Sequence, residues 1–285
     1  MMDLYPHPHA SLENDSLRID YLTDLGPRII GLYAKGVEGN LFAVTPDAHW
    51  PTPHGEYFLH GGHRLWTAPE DPFYTCPEAD VQITAEENRV TLRSNVDACG
   101  LEKEISFQLA ENKVALTHRI TWHGEEAIEL APWTITQVRL GGMAILPLSS
   151  MDTGLLPNRN LVFWPYSQLK DERFRLYDPW ILLQGRPDKA AFKVGNYNPY
   201  GWIAYAFENV LFVKRFPVHP VNKYPDMGCN VESYVKDTSV ELETLGVLTR
   251  LEPQASVQFE ETWEVSLGDY PPTLDTANRI SRQNS

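Results

Sequence analysis

A two-residue period constrains this chain more than any other feature. Across Lys113–Trp122, Val114, Leu116, His118, Ile120 and Trp122 alternate with Thr117, Arg119 and Thr121. Val257, Phe259, Glu261, Trp263 and Val265 alternate in the same way with Gln258, Glu260, Thr262 and Glu264. Successive side chains of an extended backbone point to opposite sides, so this pattern specifies strands with one buried face. Further strands are expected at Leu17–Leu22, Arg28–Tyr33, Val81–Ala85, Arg89–Ser94, Glu104–Gln108, Ala127–Leu130, Thr134–Leu140, Trp202–Phe207, Val210–Phe216 and Ser239–Leu245. Glu87-Asn88 and Glu111-Asn112 supply hairpin turns between neighbouring strands. Twenty-two prolines in 285 residues exceed the usual share of roughly 5% and disfavour helices. Only the tail Thr273–Arg282 reads as a short helix. An all-β chain of stacked antiparallel sheets follows.

Length and an apolar fraction of 42% suit one large globular domain. No run approaches the ~18 apolar residues of a membrane span. The first twenty residues hold acids, histidines and prolines without an apolar core, so no secretory leader is expected. A net charge of −14 repels phosphate backbones and anionic lipid, which argues against nucleic acid or membrane as a partner. A small polar ligand fits better. Cys76, Cys99 and Cys229 stand far apart, are odd in number and form no CxxC pair. They read as reduced thiols of a cytoplasmic protein, with no zinc site and no cofactor expected. Pro147–Asn198, rich in Pro, Tyr, Trp and Arg, reads as long loops over one sheet face.

Chemistry concentrates in Leu59-His60-Gly61-Gly62-His63-Arg64-Leu65-Trp66-Thr67-Ala68-Pro69-Glu70. Paired glycines allow a sharp turn and close approach of backbone. Three readings are open. His60, His63 and Glu70 match a two-histidine, one-carboxylate metal set, provided the turn brings both imidazoles together. A turn whose histidines only make hydrogen bonds is the plain structural reading. The favoured one is sugar binding, in which His and Arg donate to hydroxyls and Trp66 faces the ring's C–H groups. A second cluster, Val240-Glu241-Leu242-Glu243-Thr244-Leu245-Gly246, puts Glu241 and Glu243 on one strand face. Mutual repulsion there tends to raise the more buried carboxyl toward the range of a general base. Nucleotide-binding GxxxxGK[ST] and GxGxxG loops and a GxSxG elbow are absent from the sequence.

Taken in order, Gly26-Pro27-Arg28-Ile29, Asn40-Leu41, Leu59-His60-Gly61-Gly62 and Leu242-Glu243-Thr244 resemble the aldose 1-epimerase, or galactose mutarotase-like, superfamily over about residues 17–266. His63-Arg64-Leu65-Trp66 with Pro69-Glu70, together with Glu241-Leu242-Glu243-Thr244-Leu245-Gly246, looks closer to a branch of it without an assigned activity. This resemblance implies a large antiparallel two-sheet β-supersandwich with a ligand cleft, spanning 17–268 between an N-terminal extension (1–16) and a C-terminal tail (269–285). It implies that Glu243 removes the proton of an anomeric hydroxyl while His60 holds the sugar. The family's acid histidine lies in a Thr-Asn-His strand, and the corresponding Pro132-Trp133-Thr134-Ile135-Thr136-Gln137 has none. Gln137 can hold a hydroxyl but supplies no proton near pH 7. Either His63 or His219 then serves as acid, or a sugar is bound without epimerisation.

Secondary candidates follow. Glu70 is placed to orient Arg64. Lys214, Asn222, Lys223, Tyr224, Asp226 and Glu232 form a polar stretch in which a cation would select a uronate or phosphosugar, and Tyr197, Tyr200 and Trp202 offer aromatic faces. The expectation is an aldose 1-epimerase with catalytic Glu243 and His63 or His219. Its substrate would be held by His60, Arg64, Trp66, Glu70, Gln137, Lys214, Tyr224, Glu232 and Glu241, without metal, as a possible homodimer. The alternatives are a non-catalytic carbohydrate-binding or sensing domain, or a polysaccharide lyase or hydrolase.

Overall fold

The computed structural model describes residues 5–154, 156–219 and 223–284, with side chains as far as Ile280. Two large antiparallel sheets stack face to face. Across the first, the strands run His9–Glu13, Leu17–Leu22, Ile29–Ala34, His63–Ala68, Ile128–Val138, Val240–Leu245, Val231–Val235, Phe192–Asn196 and Val162–Phe163, with Thr249–Leu251 paired beside the start of Ile128–Val138. Across the second they run Phe174–Tyr177, Trp180–Gln184, Met143–Pro147, Trp202–Phe207, Val210–Arg215, Ser256–Leu267, Lys113–Trp122, Leu101–Ala110, Arg89–Ser94 and Val81–Ala85. A separate hairpin, Val44–Thr52 and Gly55–Gly61, stands beside them.

The alternating segments face as their pattern requires. Val114, Leu116, His118 and Ile120 are buried, as are Phe259, Glu261, Trp263 and Val265, while the intervening residues reach the other side. These two strands pair with each other, Leu116 opposite Glu261. Both turn cues fall between paired strands, Glu111 taking a positive φ of 52° in its hairpin. Ala127–Leu130 and Thr134–Leu140, expected as two strands, form one, Ile128–Val138. Its bonding partner changes midway: the first half pairs with Thr249–Leu251 and the second with Val240–Leu245.

Pro147–Asn198 departs from the loop reading. It contributes Val162–Phe163, Phe174–Tyr177, Trp180–Gln184 and Phe192–Asn196, strands of two to five residues, too short for a two-residue period to stand out. Residues 1–16, read as an N-terminal extension, include His9–Glu13, paired residue for residue with Arg18–Leu22.

The C-terminal helix, Leu274–Asn284, decides which sheet face stays available. Ala277 and Ile280 pack on Met143, Ile145, Trp180 and Trp202, sealing part of the second sheet's outer side. Trp202 is therefore a core residue. On the first sheet, the outer side carries polar and charged residues at the centre of the molecule.

Candidate functional site

Strand register gathers this outer-face cluster. Arg64 lies opposite Ile135, Ile135 opposite Glu243, and Glu243 opposite Glu232, so four adjacent strands aim these side chains to one side. Glu232 pairs with Gly195, whose neighbour Lys193 points the same way two residues along. A β-carbon on Gly195 would press on Glu232 Cγ at 2.9 Å and Cys229 Sγ at 2.8 Å, so only glycine leaves room for that carboxyl.

Lys193 Nζ stands 2.8 Å from Glu243 Oε2 and 2.7 Å from Glu232 Oε2. It is also 4.5 Å from the ring centroids of both Trp133 and Trp164, a cation held between two aromatic faces. Trp133 Nε1 donates to Glu243 Oε2 at 2.8 Å. Glu243 Oε1 and both Glu232 oxygens lack a hydrogen-bond partner although both residues are fully buried, the Lys193–Glu232 contact being close but misaligned. Burial and the neighbouring Glu243, opposed by Lys193, push the Glu232 carboxyl well above the ordinary range. Burial alone pulls Lys193 down, but the two carboxylates outweigh it and hold the ammonium well above its usual range.

Beside this trio, Arg64 donates to Gln137 Oε1 and Glu241 Oε1, both at 3.1 Å, and lies 4.5 Å over the Trp66 ring. Trp66 meets Trp133 edge-on at 5.6 Å and donates to the Tyr57 hydroxyl. Tyr166 and Tyr234 close the other flank, edge to face at 6.4 Å. The geometry thus unites Glu243, Glu232, Glu241, Arg64, Trp66 and Gln137 on one face.

Other expected residues lie elsewhere. His60, at a φ of 55°, sits among His7, Phe58 and the Arg28–Glu78 pair. Gly61 and Gly62 then turn the chain so that His63 enters the space between the sheets. The two-histidine metal set is thereby dissolved, and His63, on the opposite face from Glu243, is corrected from acid to core residue. Lys214 is corrected likewise: it is fully buried between the sheets and paired with Glu261 at 3.2 Å, so it selects no ligand. Glu70 is exposed and leaves Arg64 to Gln137 and Glu241. His219 is exposed, its backbone N–H donating to the Tyr224 hydroxyl, and Tyr224 is buried 5.9 Å from the Tyr197 ring. Asn222 lies outside the described residues.

Sequence reasoning missed Trp133, Trp164, Tyr166 and Lys193. Trp133 was within reach, since it shares a strand face with Gln137. Lys193 falls in the segment taken for loop.

Between the sheets, the hydrogen bonds fix each imidazole's tautomer. The Phe259 carbonyl only accepts, so His118 Nδ1 donates to it, and His118 Nε2 accepts from His63 Nε2 at 2.8 Å. His63 Nδ1 then accepts from the Thr136 hydroxyl at 2.9 Å. Both rings are neutral, burial pulling His63 well below the ordinary value and His118 down to about 4. An imidazole neutral when folded takes up a proton on unfolding between its two pKa values, so stability falls as pH falls. With the opposite slope of the raised Glu232 carboxyl removed by Glu232→Gln, the histidine contribution is expected to be nil above pH ~6.5 and a loss of about 2 kcal/mol by pH ~5 through His118 alone. Urea midpoints of that variant across this range test it; a midpoint unchanged down to pH ~5 contradicts the neutral pair.

No protein-family model matches the sequence, nor does any curated protein. Solved structures do. A candidate aldose 1-epimerase from Escherichia coli superposes with a TM-score of 0.56 at 13% identity, covering 91% of this chain and 99% of that one. A candidate mutarotase from Salmonella typhimurium gives 0.53 at 13%, covering 94% and 96%. A galactose mutarotase-like protein from Lactobacillus casei gives 0.52 at 10%, covering 91% and 100%. The fold is the galactose mutarotase-like β-sandwich.

Proposed function

We propose that the chain binds a free sugar on the Arg64–Glu243 face and exchanges its anomers by general acid–base catalysis. The observation that carries this reading is the buried carboxyl pair: Glu243 with an oxygen awaiting a partner, and Glu232 driven toward its protonated form. Buried polar groups are ordinarily satisfied, so an orphan carboxylate oxygen beside aromatic faces is a place for a ligand's hydroxyl. Glu243 takes the proton of the anomeric hydroxyl, and Glu232 gives one to the ring oxygen. The C1–O5 bond breaks, C1–C2 rotates, and reclosure by the reverse transfers yields the other anomer. Arg64, steadied by Gln137 and Glu241, places a hydroxyl, while Trp66 and Trp133 present apolar faces. Trp164 lies against the Lys193 ammonium beside them.

Magnetisation-transfer NMR on a panel of free aldoses and uronates tests the reading: at least one anomer pair exchanges faster with protein added. Glu232→Gln is expected to slow that exchange about 100-fold, the lower end of what a positioned acid contributes. An unaltered rate removes Glu232 from the role.

The Lys193 bridge favours a second reading, a sugar-binding domain without turnover, because it occupies the carboxylate a base must present. Binding of a panel member with no faster exchange would select it.

A further inference from the structure

Apart from the sugar face, and independent of it, three segments converge on a second set of donors. His54 lies at the turn of the Val44–Gly61 hairpin, Cys76 in the irregular stretch after Ala68, and Cys99 in the turn before Leu101–Ala110. The two sulfurs are 2.8 Å apart, and the sulfurs and a ring nitrogen of His54 all lie within 4.8 Å of one another. The geometry points to a transition-metal site, with His54, Cys76 and Cys99 as ligands of a zinc-like divalent cation.

Thiolates with an imidazole are the donor set such a cation prefers. The imidazole keeps one nitrogen free of a proton. His54 Nε2 is 2.8 Å from the Phe73 carbonyl, which can only accept, so Nε2 carries the proton and Nδ1 keeps its lone pair. Metal-bound histidines are commonly held by such a bond from the other nitrogen. The turn carrying Cys99 is fixed by Asp97, whose Oδ1 accepts from the backbone N–H of Cys99 at 3.1 Å and of Leu101 at 2.9 Å; its bond from the Cys99 thiol, at 3.1 Å, is given up when that thiol ionises on the metal.

A cavity of about 280 Å³, lined in part by His54, Cys76, Glu78, Asp80 and Asp97, adjoins these donors. Glu78 is paired with Arg28 and Asp97 with Lys103, so Asp80 leaves this lining with a net negative charge that favours a cation. Three protein ligands beside such a cavity leave a fourth position for water or an exogenous ligand. Two thiolates on one zinc stand about 3.8 Å apart, from Zn–S distances near 2.3 Å. The sulfurs therefore open by about 1 Å on binding, and both thiols release their protons. The grouping of His63, His118 and Glu261 is no rival: the Lys214 ammonium, 3.2 Å from Glu261, already supplies its positive charge.

The test titrates the fully reduced whole chain with Co²⁺ alone, then Zn²⁺. One equivalent of Co²⁺ is expected to give thiolate-to-metal charge-transfer absorption and tetrahedral d–d bands, both erased by one equivalent of Zn²⁺. His54→Ala, at a half-buried hairpin turn, should weaken Co²⁺ binding at least ~10-fold. Cys76→Ser with Cys99→Ser should remove the charge-transfer absorption, and Cys229→Ser should leave it. Reduced protein that takes up no Co²⁺, including one isolated with a Cys76–Cys99 disulfide, overturns the site. Bands that persist in the double serine variant, or an affinity unmoved by His54→Ala, overturn it equally.

Discussion

Glu243→Gln is expected to slow anomer exchange by about 10²- to 10⁴-fold, the range a positioned general base contributes, while a sugar still binds. The amide keeps the size of the carboxyl, and its oxygen still accepts from Trp133 Nε1. It cannot take up the anomeric proton. Folding should survive, because Lys193 retains Glu232, 2.7 Å away, as a counter-charge. With Glu243 neutral, the lysine has one carboxyl left to face, so Glu232 is expected to ionise and cease to be a proton donor. The substitution thus removes the base and the acid together, which is why its effect should exceed that of Glu232→Gln. Exchange rate by magnetisation transfer, alongside sugar binding by calorimetry, separates the two consequences. Undiminished exchange in this variant refutes Glu243 as base.

Lys214→Met should cost about 3–5 kcal/mol of stability, the usual penalty for stranding one member of a buried ion pair. Glu261 receives the Lys214 ammonium at 3.2 Å, Trp263 Nε1 at 3.0 Å, and the hydroxyls of Thr134 and Thr244. Burial alone raises its pKa, yet Lys214, His118 and the hydroxyls outweigh that and hold it below the ordinary range. Without the ammonium, a charge would remain in a space that excludes water. Adding Glu261→Gln should recover much of the loss, since the amide carries no charge, its oxygen can accept from Trp263 Nε1, and its NH2 can donate to the Thr134 and Thr244 hydroxyls, which also accept. Urea denaturation of the single and double variants checks this. A loss below about 1 kcal/mol in the single variant would mean that Glu261 is uncharged in the native protein.

Several features were legible before folding because they are local. Alternation in Lys113–Trp122 and Val257–Val265 follows from strand geometry, and the Glu111-Asn112 turn from a polar break between two alternating runs, although Glu111 and not Asn112 takes the positive φ. Glu241 and Glu243 had to share a face for the same reason. The His60/His63 bend misled because one residue of backbone rotation decides which side a ring takes. Gly61 and Gly62, both at positive φ, send His63 inward and leave Arg64 on the Glu243 side. Lys214 misled for a related reason: it shares the inward face of its strand with Phe212, and only Glu261 on the adjacent strand makes that tolerable.

By itself the sequence determined an all-β chain, the strands with half-buried faces, and the side to which each of their residues turns. Those properties depend on the backbone's two-residue period, which acts over a few neighbours. Tertiary structure alone decided that Lys193 stands between Glu232 and Glu243, and that Cys76 meets Cys99. Such partnerships depend on which strands become neighbours and in what register, and that is chosen by burial summed over the whole sandwich. No local rule links position 193 to position 243.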